Sequence, residues 1–65
     1  MNEEAFVESM NVHLKELESI AEDVEDIANE FPSYVMQQAT LNKAARIHDV
    51  ISAIRHDVKK FDAHA

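Results

Sequence analysis

The sequence predicts an all-α fold, an antiparallel helical hairpin that dimerises into a four-helix bundle, and three observations carry that prediction. Glycine is absent and proline occurs once, so the residues that tight β-turns, bulges and phosphate-cradling loops depend on are missing. Both halves of the chain carry apolar residues at alternating steps of four and three, the spacing of one helical face. Between the halves stands Phe31-Pro32-Ser33, a proline that cannot donate to an intact helix followed by a serine able to cap the next one. With 65 residues the chain holds one domain, residues 1–65, whose core is too small to be generous.

Helix 1 is expected over about residues 3–30, with Asn2 as its cap and Glu3 and Glu4 in the turn where the helix dipole favours acids. Its stripe runs Phe6, Met10, His13, Leu17, Ile20, Val24, Ile27 and Phe31, widened by Val7, Leu14, Ala21 and Ala28. A stripe this wide belongs to a helix that faces two neighbours in a bundle. The turn is placed at residues 31–33. Helix 2 is expected over about residues 33–62, with Ala44, Ile47, Ile51, Ile54, Val58 and Phe61 as its stripe and the polar Thr40 and Gln37 weakening it near the turn. The rival arrangement is one long helix kinked at Pro32.

Charge supports folding back. Helix 1 is acidic apart from Lys15, while helix 2 holds Lys43, Arg46, Arg55, Lys59 and Lys60. Antiparallel packing brings Glu4 near Lys59, Glu8 near Arg55, Lys15 near Asp49, Glu18 near Arg46 and Glu22 near Lys43; such pairs bias register more than they hold a fold, at ~0–1 kcal/mol each. A hairpin buries one edge of each stripe and leaves the other wet, and a second copy is the simplest cover. The result resembles, in outline alone, the two-hairpin bundles of small plasmid and phage regulators.

The polar residues point away from catalysis. No cysteine is present, no cofactor fingerprint occurs, and Ser9, Ser19, Ser33 and Ser52 lack the glycine turn that supports an oxyanion. No catalytic, cofactor-binding or metal-binding residue is therefore assigned. His48-Asp49 and His56-Asp57 repeat after eight residues, which turns the two imidazoles away from one another around the helix. His13 falls in the apolar stripe and needs a polar partner there, with His48 and Ser52 in reach beside Ile51; such a residue fixes register, and its protonation would loosen the bundle. Phe6 and Phe61 are expected to meet at the open end, and Phe31 and Tyr34 to close the turn. Met1, Met10 and Met36 fill core and ends, and Tyr34, Val35 and Met36 could form an apolar knuckle beside the proline.

A formal net charge of −7 argues against non-specific nucleic-acid binding. The acids of helix 1 instead suggest a protein partner with a basic surface, met through Glu18, Glu22, Asp23, Glu25 and Asp26. The function expected first is thus a non-enzymatic acidic regulator or inhibitor, a homodimer that occupies a basic, nucleic-acid-binding site on its target. The alternatives are a structural or assembly module working through the apolar seam, and an RNA-binding dimer working through basic helix 2. The acidic start and the lack of a long apolar run predict a cytoplasmic protein with no membrane span.

Overall fold

The computed structural model describes residues 3–64, and within them the chain forms two helices, α1 over Glu3–Ala28 and α2 over Tyr34–His64, packed antiparallel as a single hairpin. Met1 and Asn2, the expected end-filler and first cap, lie outside the described residues. Glu3 and Glu4 occupy the first turn of α1, where acids complement the exposed N–H groups.

α1 ends two residues earlier than the spacing predicts, and it ends by tightening. Asn29 N donates to Glu25 O at 3.1 Å, then Glu30 N donates to Ile27 O at 3.0 Å and Phe31 N to Ala28 O at 3.1 Å. The switch to three-residue spacing closes the last carbonyls without a left-handed residue, and no non-glycine residue among those described has positive φ. After Pro32, Ser33 caps α2: its Oγ accepts from Met36 N at 3.3 Å, and its carbonyl accepts the first full helical bond, from Gln37 N at 2.9 Å. Ser33 is therefore the cap and not part of the helix.

Gln37 does more than dilute the apolar stripe. Its side-chain Nε2 donates to Phe31 O at 2.8 Å and Asn29 O at 3.3 Å, so it ties the start of α2 to carbonyls that the end of α1 leaves unpaired. Phe31 is half-buried beside it, whereas Tyr34 is 72% exposed and does not close the turn. Tyr34, Val35 and Met36 form an exposed knuckle instead.

The core is Leu14, Ala21, Ala28, Ala44, Ile51 and Val58. These fall every seventh residue on each helix, on the row that runs through Val7 on α1 and Gln37 on α2. The stripe's edge, not its middle, faces the other helix. Half of this core is alanine, which lets two backbones approach closely but hides little apolar surface. No polar or charged residue is buried among those described, so nothing in the core is left unsatisfied.

The molecule is a rod with extents of 48 × 15 × 11 Å and a radius of gyration of 15.2 Å, against about 11 Å for a sphere-like chain of this length. No described helix is long and apolar enough to cross a membrane.

Candidate functional site

Rotation by ~100° per residue sorts every side chain around the core row. Four residues past that row on each helix lie Glu18, Glu25, His48 and Arg55. Arg55 Nη1 donates to the Glu18 carboxylate, and His48 Nε2 lies 2.7 Å from Glu25 Oε1 as its donor. Each pair closes the same flank of the seam, beside Leu14 with Ile51 and beside Ala21 with Ala44.

This pairing differs from the sequence expectation. Arg55 takes Glu18, not Glu8; Glu18 does not meet Arg46; and Lys15 with Asp49 and Glu22 with Lys43 form no ion pair among the described residues. The reason is side-chain direction. Long helical side chains lean toward their own N-terminus, so in an antiparallel pair the groups that meet start about one turn beyond the residues that are level.

The opposite flank is apolar and open. Three residues past the core row stand Met10, Leu17 and Val24 on α1, continued by Phe31 in the turn, and Thr40, Ile47, Ile54 and Phe61 on α2, none of them fully buried. One step further out are Phe6, His13, Ile20 and Ile27 on α1, with Met36, Lys43, Val50 and Asp57 on α2. Ile20 is 56% exposed, Ile27 54% and Val50 57%. Between the helices Leu17, Ile47, Ile51 and Ile54 line a groove of about 490 Å³, with Lys43 and Arg46 at its border. At the open end Phe6 and Phe61 meet edge to face with centroids 5.4 Å apart, as expected, and both remain partly exposed.

His13 is the clearest departure among the seam residues. It stands exposed on the open flank, and its Nε2 lies 3.4 Å from Ser9 Oγ one turn back, not beside Ile51, His48 or Ser52. His48 is committed to Glu25. Leu17, Ile20 and Ile27, read as seam, are likewise exposed within the chain.

The five acids expected to form one binding face are divided. Glu18 and Glu25 are held by α2. Glu22 and Asp26 lie on the back of α1, and Asp23 lies at the outer border of the open flank; none of these three makes an ion pair among the described residues. No three His, Asp or Glu side chains gather as a metal ion requires, among the described residues. The sequence missed the function of Gln37, whose only signal was a polar residue on the core row beside a proline turn.

Fold and surface together define a two-helix hairpin with one flank bridged by Glu18 with Arg55 and Glu25 with His48 and one apolar flank. No family model, curated protein or solved structure matches the chain.

Proposed function

We propose that the chain is a non-enzymatic interaction module of the cytoplasm that closes its apolar flank against a second copy, forming a homodimeric four-helix bundle. One observation carries this reading. The full-sized residues Leu17, Ile20, Ile27, Ile47, Val50 and Phe61 are exposed on one flank, while Ala21, Ala28 and Ala44 make up half of the core. Such an apolar patch is rare on soluble monomers, and a core of three large side chains and three alanines is thin for an independent fold. Sedimentation equilibrium tests it: the expected mass is twice 7.4 kDa at micromolar concentration, and 7.4 kDa at every concentration refutes the dimer.

A second reading concerns the back of α1, where Glu22 and Asp26 stand exposed without ion pairs among the described residues. There the bundle serves as an acidic regulator, presenting those carboxylates to a basic, nucleic-acid-binding surface on a target protein. Binding of that kind weakens steeply with salt, whereas closure of the apolar flank does not. RNA binding through α2 is disfavoured by the acids of α1 in the same small bundle.

A further inference from the structure

Resting on the dimer reading, the borders of the open flank determine how two copies meet: we infer that each α1 packs beside the partner's α2, antiparallel, and not beside the partner's α1. The outer border of the flank carries Glu16 and Asp23 on α1, followed by Glu30 in the turn, and the matching border on α2 carries Arg46 and Lys60, with Lys43 just inside. One border is acidic and the other basic.

Two open faces can meet about a two-fold axis that runs along the helices or across them. An axis across the helices lays α1 on the partner's α1 and sets Glu16, Asp23 and Glu30 against their own copies. An axis along them exchanges left for right, lays α1 on the partner's α2, and sets Asp23 against Arg46 while keeping the acids of one border away from their own copies. Opposed like charges oppose association, and opposed unlike charges fix register. The surface area agrees with a substantial contact. The chain exposes 5045 Å² against about 4,200 Å² for a compact protein of its mass, and the excess is comparable to the ~800 Å² that a standard interface removes from each partner.

The arrangement also specifies neighbours. An axis along the helices preserves height, so the partner's α2 stands level with the chain's own α2. Within the hairpin the residues that meet lie on the level or up to four positions beyond it on each helix, as Glu18 and Arg55 do relative to Leu14 and Ile51. Within that range His13 faces the partner's Asp57, Ile20 faces the partner's Val50, and Asp23 faces the partner's Arg46. Two of the three polar residues on the inner borders, His13 and Asp57, are thereby opposed to each other, while Lys43 lies across from the partner's Ile27.

The chain has no cysteine, which makes cross-linking clean. Ile20→Cys chains mixed with Val50→Cys chains and oxidised should give disulfide-linked dimers containing one of each, in at least about tenfold excess over dimers of either alone, since the bond demands Cα atoms about 4.4–6.8 Å apart. Ile20→Cys chains linking chiefly to themselves overturn the arrangement, as does failure of the mixture to link while the unsubstituted protein sediments as a dimer. Sedimentation of the unsubstituted protein as a monomer instead removes the dimer itself. A charge exchange provides a second readout without cysteine: Asp23→Arg or Arg46→Asp alone should weaken dimerisation about tenfold, and the two combined in one chain should restore it. A double variant no tighter than the single ones overturns the assignment.

Discussion

Glu25 and His48 meet at 2.7 Å from helices that the turn at Pro32 folds together, one turn beyond the alanines Ala21 and Ala44. The Glu18 and Arg55 pair repeats the relationship one heptad toward the open end. Both pairs are between one-third and two-fifths exposed, and the Glu18 and Arg55 ion pair contributes roughly 0.2–1 kcal/mol. Urea melts of Glu18→Ala and Arg55→Ala should each fall by that amount, and the double variant by less than the sum of the two. A loss above 3 kcal/mol for either would mean that the pair is buried in the working assembly.

Leu14 and Ile51 are the large side chains at the middle of the core, at 1% and 2% exposure. Leu14→Ala should cost about 2–5 kcal/mol, enough to unfold a chain this small, with the helical signal at 222 nm lost at 25 °C. Ala21→Leu should destabilise by about 1–3 kcal/mol through overpacking. A neutral effect for both, in thermal melts, would contradict the alanine-row packing.

The turn depends on two side chains acting in succession. Ser33→Ala removes the cap on Met36 N and should cost about 1 kcal/mol. Gln37→Ala removes the donor to Phe31 O and Asn29 O and should cost about 1–3 kcal/mol, depending on how far water replaces it. Amide exchange near residues 29–37 should accelerate in both variants before the rest of the chain responds.

Ile20 and Ile27 are more than half exposed in the single chain, so Ile20→Asp should leave the hairpin helical and abolish the dimer. Retention of a dimeric mass, read by light scattering, would show that a different surface associates. The same substitution on the back of α1, Val12→Asp, is the control; Val12 is 54% exposed there and its replacement should leave the mass unchanged.

Much of this architecture is readable from residue spacing, because helix, break and antiparallel return all follow from where apolar residues, Pro32 and Ser33 fall. The contact of Phe6 with Phe61 follows from the same bookkeeping. What spacing conceals is which edge of a wide stripe turns inward. Val7, Leu14, Ala21 and Ala28 look like a flank beside larger neighbours, yet a hairpin brings its smallest row to the centre, where two backbones can come closest. His13 then lands in solvent, and the cross-helix partners shift by a turn because the side chains lean in opposite directions along the rod. The role of Gln37 was hidden for a different reason: its use depends on carbonyls that become unpaired only once α1 has stopped.

The seven-residue repeat of the core has a consequence for how the hairpin keeps its alignment. Sliding α2 along α1 by one repeat would set Ile51 against Ala21, apolar still upon apolar, so the core by itself discriminates weakly between alignments. The short span from Asn29 to Ser33, clasped by Gln37, has no slack for such a slide. The turn thus serves as a ruler that sets the phase of the two helices, and the rod's far end, more than twenty residues away on each helix, inherits its alignment from five residues at the other.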